Sequence, residues 1–296
     1  QSGIIYNKLS SGRKKSMSRR ELIEQAAIFR EHTKGMTLAF LPLLCTLVLY
    51  TIYQLVYFVI SILKIKEDSG LVLERLHQLF STSIVMTIFM SLIYFLLVGV
   101  VSFYLLQVVR GERARLFFKD GFSLIFSEWN KPVYMTLLTY FGMHFMAGLP
   151  FLYGFAHFMK GLIMNALMIL SPGAMAELAQ FEPNKMIDLG LSVFLFGFLL
   201  YLAVYYTYSQ TIYILFDQLD NASFTSPIPI LRESRLLMLG NYIKRIRLDL
   251  AFIGWFVGCW LTLNLLSIYV LPYYQTCKAL FYEEIKKVRL SANFHS

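Results

Sequence analysis

The chain of 296 residues is 57% hydrophobic and only 15% charged, whereas soluble globular domains carry about 25% charged residues. A soluble core of this size cannot hide so much apolar surface. Composition therefore excludes a soluble domain, a disordered chain, a coiled coil and a disulfide scaffold. The net charge of +9 fits basic loops that face anionic lipid, so we expect membrane partners and no nucleic-acid partner.

Residues 1–34 form a basic tail followed by a predicted amphipathic helix. Ser18 and Glu21 have the spacing of a capping box, in which each side chain bonds the backbone N–H of the other residue. Leu22, Ala26 and Phe29 then recur at helical spacing. We expect this helix to lie on the membrane surface before the first span, and an ordinary solvated helix is the alternative.

Long uncharged stretches follow, and a membrane span requires about 20 apolar residues. The segment 152–187 is ambiguous because Lys160 interrupts its apolar part, and a charge at the bilayer centre costs about 2.5–3.5 kcal/mol. We favour an extracytoplasmic hairpin or re-entrant insert there over a full span. The remaining stretches predict spans at 36–63, 81–109, 132–151, 189–216, 244–262 and 263–282.

The last apolar region, 250–277, allows either one long tilted span or a hairpin of two spans. A hairpin needs about 40 residues and must recruit flanking basic residues that snorkel to the interface. Lysine and arginine prefer the cytoplasmic side, and only a hairpin places the basic C-terminal tail, 284–296, beside the other basic loops. We therefore predict both termini in the cytoplasm.

The fold class expected from these patterns is all-α. It is a polytopic membrane helix bundle over 35–283 with about six spans, one amphipathic helix at the N-terminus and another before the last two spans. Pro227 near the first turn and Gly240 at the end delimit that second helix. Its apolar face carries Leu231, Leu237 and Met238, and we expect that face to lie on the bilayer.

Basic residues concentrate on the predicted cytoplasmic side. Each lysine or arginine near an anionic surface contributes about 1 kcal/mol to binding. We predict that these residues contact anionic lipid or an acidic partner, and simple topology marking is the alternative. The candidate contact residues are Arg110, Arg113, Arg232, Arg235, Lys244, Arg245 and Arg247.

The C-terminal half carries a recognisable series of motifs. Ser-Arg-Leu-Leu-Met-Leu-Gly begins at Ser234, Leu-Asp-Leu-Ala-Phe-Ile-Gly-Trp begins at Leu248, and Pro272-Tyr273 and Phe281-Tyr282 follow. This series resembles the bacterial integral membrane family known as domain of unknown function 975, most specifically over 200–283. A looser likeness exists to the membrane domain found beside some glycerophosphodiester phosphodiesterases.

The resemblance implies a six-span protein of the bacterial cytoplasmic membrane and supplies no catalytic residues. We expect Gly254 to sit where another helix approaches closely, because small residues permit such contacts in lipid. The motif positions expected to be structural are Ser234, Arg235, Met238, Gly240, Asp249, Gly254, Trp255, Pro272, Tyr273, Phe281 and Tyr282.

Motifs for catalysis or cofactor binding are absent from the sequence. It contains no HExxH, no GxSxG, no P-loop and no dinucleotide fingerprint, so we predict no catalytic residue, metal or cofactor. Tyr201, Tyr205 and Tyr208 are spaced to share one helix face. They are a candidate groove lining for a lipid headgroup or a peptide, and helix packing is the alternative.

Three functions remain open. The favoured one is a non-enzymatic scaffold or accessory factor that binds lipid, peptide or another membrane protein, including a second copy of itself. A lipid or small-molecule transporter without ion coupling is the alternative, because the predicted spans one, two and four contain no ionisable acidic or basic residue. A membrane lipid-modifying enzyme is the least favoured, since clustered carboxylates or histidines are not evident.

Overall fold

The computed structural model describes residues 17–67, 72–170, 180 and 182–293. The basic tail before residue 17, the segment 171–179 of the predicted insert and residues 294–296 lie outside this description. The described helices are α1 Arg19–His32, α2 Met36–Glu67, α3 Val72–Arg110, α4 Asn130–Leu170, α5 Pro183–Thr207, α6 Thr211–Asp220, α7 Pro227–Met238, α8 Tyr242–Leu261 and α9 Ser267–Asn293. The all-α expectation is confirmed for the described part of the chain.

Two compact units are built from these helices. Of the described residues, the first unit contains those up to Thr51, Leu92–Tyr140 and those from Tyr206 onwards. The second unit contains the described residues within Ile52–Ser91 and Phe141–Tyr205. All ion pairs and motif contacts discussed below as the candidate site belong to the first unit.

Four helical stretches are long and apolar enough to cross a membrane. They are Met36–Ser61, Ile84–Arg110, Asn130–Ile169 and Pro183–Asp220. These stretches support a membrane protein. Within the described ranges α8 and α9 do not join them, because charged residues interrupt both helices, so the predicted six spans are not confirmed.

Helix α4 differs from the prediction for the third span. It runs unbroken for 41 residues, from Asn130 to Leu170, whereas we expected the span to end at 151 and an insert to occupy 152–187. The free-energy cost of placing Lys160 at the bilayer centre applies only if the helix is no longer than the bilayer is thick. At 1.5 Å per residue α4 is about 60 Å long, so Lys160 need not lie at the bilayer centre.

Close packing of α4 against α5 explains why the helix continues. A Cβ built on Gly154 would lie 2.2 Å from the backbone N of Phe194, and one on Gly197 would lie 2.1 Å from the backbone N of Phe151. The two helices are therefore antiparallel and touch backbone to backbone at glycines, as small residues allow in membranes. Among the described residues, no atom lies within 4 Å of a Cβ built on Gly254, so the close approach expected there is wrong for this part of the chain.

Helix α1 begins with the predicted capping box. The Ser18 hydroxyl accepts from the Glu21 N–H at 3.3 Å, and the Glu21 carboxylate accepts from the Ser18 N–H at 3.0 Å. Leu22, Ala26 and Phe29 are buried, and α1 packs mainly against α9. Protein therefore covers the apolar face that we expected to meet the bilayer.

Helices α8 and α9 form an antiparallel hairpin. The Phe252 ring lies 5.2 Å from the Tyr273 ring, and the Trp255 ring lies 5.7 Å from that of Tyr269. A turn at 262–266 joins the helices, with Asn264 in the left-handed region at φ +66°. The last apolar region therefore folds as two helices and not as one long helix, while the prediction that these helices are two membrane spans is not confirmed.

Candidate functional site

A charged cluster surrounds Asp217 near the end of α6. The Asp217 carboxylate accepts hydrogen bonds from Arg110 at the end of α3 and from Tyr282 and Lys286 of α9. The Asp217 and Arg110 side chains are only 12% and 18% exposed. Desolvation penalises a charge unless it is paired and hydrogen-bonded, so three donors around one carboxylate can keep this aspartate ionised inside the protein.

Arg110 extends the cluster to two further carboxylates. Its guanidinium lies 2.8 Å from Glu283 of α9 and 3.6 Å from Asp220 of α6. Glu112 follows in the loop, where partial burial raises the pKa of its carboxyl while Arg110 acts in the opposite direction. The paired charges connect three helices that are far apart in sequence.

Aromatic packing places α6 at the centre of this unit. The Tyr213 ring stacks on that of Tyr282 at 5.2 Å, and the Phe216 ring lies 4.4 Å from that of Phe103. Each of the residues from Thr211 to Asp217 is buried. The carboxylate of Asp217 is therefore held in position by apolar contacts on neighbouring turns.

The break between α5 and α6 is tied to α7. The Ser234 hydroxyl accepts from the Gln210 N–H at 3.2 Å and donates to the Thr207 carbonyl at 3.3 Å. The Gln210 amide also donates to the sulfur of Met238 at 3.5 Å. Ser234 thus bonds backbone groups at the helix interruption, and Met238 contacts the side chain of Gln210.

A second buried ion pair lies at the base of the hairpin. Arg245 is fully buried, and its guanidinium lies 3.2 Å from Asp249 and 3.2 Å from the Tyr274 hydroxyl. The Tyr274 hydroxyl donates to Asp249 at 2.9 Å. Arg245 therefore joins α8 to α9 from inside the protein and does not offer its charge to a headgroup.

The other candidate lipid contacts divide into two groups. Arg110 lies within the Asp217 cluster, and Arg113 is half-buried, 3.0 Å from the buried Asp120. The exposed group forms a surface that we call the basic rim, defined by Arg232, Arg235, Lys244 and Arg247.

Exposed apolar side chains interleave with the basic rim. Leu236 is 46% exposed, Leu239 is 56% exposed and Ile243 is 65% exposed. The face of α7 that we expected to meet lipid, with Leu231, is instead buried in the protein. The exposed apolar side chains that accompany the basic rim therefore lie where α7 ends and α8 begins.

Of the three tyrosines predicted to line a groove, only Tyr201 and Tyr205 lie on the same helix. The Tyr201 and Tyr205 rings stack at 6.4 Å, and the His144 ring meets them edge-on at 5.9 Å and 6.4 Å. Tyr208 lies beyond the end of α5, in the turn before α6. The i, i+4, i+7 spacing therefore does not describe one continuous helix face.

A comparison with models of protein families identifies the family of this chain. The model of the family described as "Protein of unknown function (DUF975)" matches residues 17–289. The chain belongs to this family. The looser likeness to the membrane domain of glycerophosphodiester phosphodiesterases is not supported. No curated protein and no solved structure matches the chain.

The remaining motif residues of this DUF975 protein also have structural contacts. The Tyr273 hydroxyl donates to the Ile23 carbonyl at 3.1 Å, and the Phe281 ring lies 5.9 Å from the Arg245 guanidinium. Gly240 has φ +80°, which suits glycine at the end of α7. Pro272 lies within α9. Tyr273 and Phe281 therefore contact residues of other helices, whereas Gly240 and Pro272 are characterised by their backbone positions.

Sequence reasoning missed several members of the Asp217 cluster. The sequence patterns do not single out Asp217, Asp220, Glu283 or Lys286 as site residues. The available signal was the presence of opposite charges at the ends of long apolar stretches. Among the described residues, no group of three or more His, Cys, Asp or Glu side chains is placed to hold a metal ion.

Proposed function

We propose that this DUF975 protein is a non-enzymatic scaffold or accessory factor of the bacterial cytoplasmic membrane that binds anionic lipid headgroups at the basic rim. One observation carries the proposal: between residues 232 and 247, where α7 ends and α8 begins, exposed cations and exposed apolar side chains are interspersed along the chain. Cationic side chains attract lipid phosphates, while neighbouring apolar side chains enter the boundary between headgroups and acyl chains.

The contacts beneath the basic rim support a preformed binding surface. Arg232 and Arg235 project from α7, which Ser234 ties to the α5–α6 turn. Lys244 and Arg247 flank Arg245, whose pairing with Asp249 holds the start of α8. A surface fixed in this way loses little conformational freedom when it binds.

The largely buried carboxylates are paired with donors on other helices, and this pairing favours a non-enzymatic role. Asp217 accepts hydrogen bonds from three side chains, and Asp249 accepts one from Tyr274 and pairs with Arg245. These contacts hold helices together. We therefore propose no catalytic residue and no cofactor. Both termini are proposed to lie on the cytoplasmic side, with the basic rim.

The double substitution Arg232→Gln/Arg235→Gln tests the headgroup interaction. We expect anionic lipid to bind about 30-fold more weakly at low salt, from about 1 kcal/mol per basic residue, and added salt should reduce this difference. The measurement is native mass spectrometry of protein purified in mixtures of phosphatidylglycerol and phosphatidylcholine.

The matched control is Arg19→Gln/Arg20→Gln, which removes the same net charge from the exposed face of α1. Arg20 already lies 2.8 Å from Glu24, so lipid retention should change little. If both double variants retain the same anionic lipids as the parent protein, the basic rim is a topology signal and the proposal fails.

A further inference from the structure

The apolar arms of the α8–α9 hairpin are too short to cross a bilayer. Between Asp249 and the turn, α8 contributes residues 250–261, and between the turn and Lys278, α9 contributes residues 267–277. At 1.5 Å per residue these arms are about 16–18 Å long. The hydrocarbon core is about 30 Å thick.

The residues of α9 that follow its apolar arm are engaged in the charged cluster. Tyr282 and Lys286 of α9 bond Asp217 in the charged cluster, and Glu283 bonds Arg110. This cluster brings several charges together around the same part of α9. Because charged groups are costly in hydrocarbon, this part of α9 suits the headgroup region better than the hydrocarbon core.

A contact with α2 places the tip of the hairpin. The Asn264 amide donates to the Thr51 hydroxyl at 2.8 Å, while the Thr276 hydroxyl lies 3.9 Å from the sulfur of Met36. Thr51 is within the candidate span Met36–Ser61, about 15 Å before its end at 1.5 Å per residue. The tip thus stops beside the interior of a membrane-spanning stretch.

Internal hydrogen bonds satisfy the polar groups of the tip. The Thr262 hydroxyl donates to the Gly258 carbonyl at 2.9 Å and accepts from the Leu266 N–H at 3.1 Å. The Asn264 N–H bonds the Cys259 carbonyl at 2.7 Å. The N–H groups of the turn are therefore paired within the hairpin, as backbone at membrane depth requires.

The outer surface of the hairpin matches acyl chains. Leu250, Ile253 and Val257 are exposed along α8, and Leu265 is exposed at the turn. Trp260, close to the turn, is 76% exposed. These exposed apolar side chains begin at Leu250, after the Arg245–Asp249 ion pair, and they suit hydrocarbon better than water.

We propose that α8 and α9 form a re-entrant hairpin that inserts into one leaflet and ends near the bilayer centre. The interaction surface is the exposed apolar side of the hairpin, and its partner is the acyl chains of the leaflet from which both arms emerge. This inference goes beyond headgroup binding and does not depend on it, because it concerns the depth of the tip.

Depth-dependent quenching of Trp260 fluorescence tests the insertion. The double variant Trp129→Phe/Trp255→Phe leaves Trp260 as the single tryptophan, and the protein is reconstituted in phosphatidylcholine vesicles. Nitroxide-labelled lipids carry the quencher either at the headgroup or deep in the acyl chain. We expect the deep label to cause the larger loss of Trp260 fluorescence.

The matched control is Trp255→Phe/Trp260→Phe, which leaves only Trp129 in the loop before α4 and should respond more to the headgroup label. A pair of complete spans would bring the turn to the far surface. Stronger quenching of Trp260 by the headgroup label would therefore overturn the proposal.

Thiol labelling provides a second measurement that leaves the tryptophans in place. The exposed Leu265 is replaced by cysteine in a Cys45→Ala background, where Cys259 and Cys277 are buried. We expect no reaction of Leu265→Cys with a membrane-impermeant maleimide from either side of the vesicle, while Gln180→Cys reacts. Labelling of Leu265→Cys from either side would show an aqueous turn and overturn the insertion.

Discussion

Gly154→Ala is expected to destabilise the protein by about 3 kcal/mol, the upper end of the range for overpacked substitutions. The added methyl would lie 2.2 Å from the backbone N of Phe194 and 2.7 Å from its Cα. A backbone neighbour cannot rotate away as a side chain can. The two helices must therefore separate and lose contacts along their interface. Thermal unfolding in detergent, followed by tryptophan fluorescence, measures the effect.

The matched control is the same substitution at Gly254 of α8. Its added methyl meets no atom within 4 Å among the described residues, and alanine is favoured over glycine in a helix by about 0.8–1 kcal/mol. Gly254→Ala should therefore leave the midpoint unchanged or raise it. Equal midpoints for the Gly154 and Gly254 variants would contradict the close packing of α4 against α5.

The long apolar helices were predictable because their physics is local. Uncharged stretches predicted α2, α3 and the start of α4, while Ser18 and Gly240 marked where two shorter helices begin and end. Such signals lie within a few residues of the feature that they determine. They do not depend on knowing which distant segment packs nearby.

The partner of each apolar face was not predictable in the same way. Phe29 and Leu231 lie on amphipathic faces that fit lipid or protein equally well by pattern, and the structure buries both in protein. The turn at 262–266 contains neither glycine nor proline, and Leu263 and Asn264 adopt positive φ there. Tertiary contacts determine these choices.

The charged cluster escaped prediction because its members are remote in sequence. Arg110 is 107 positions from Asp217 and 173 from Glu283. The sequence placed Arg110 on a lipid-facing surface, since a basic residue at the end of a span usually meets headgroups. Its carboxylate partners instead direct it into the protein.

The charge on Asp217 should therefore be essential for stability. We expect Asp217→Asn to lower the free energy of unfolding by about 3 kcal/mol, because removing one member of a buried ion pair leaves uncompensated charge. Arg110 and Lys286 would then face each other across a neutral amide. Thermal unfolding in detergent, read by near-ultraviolet circular dichroism, measures the loss.

Asp220→Asn is the control, since it removes the same charge one turn further along α6. Asp220 lies 3.6 Å from Arg110 and its side chain is 31% exposed, so we expect less than about 1 kcal/mol. The double variant Asp217→Asn/Arg110→Gln should lose less free energy of unfolding than the sum of the losses of the two single variants, because the two residues share one network. Additive losses, or equal losses for the two aspartates, would show that Asp217 does not organise the contacts between α3, α6 and α9.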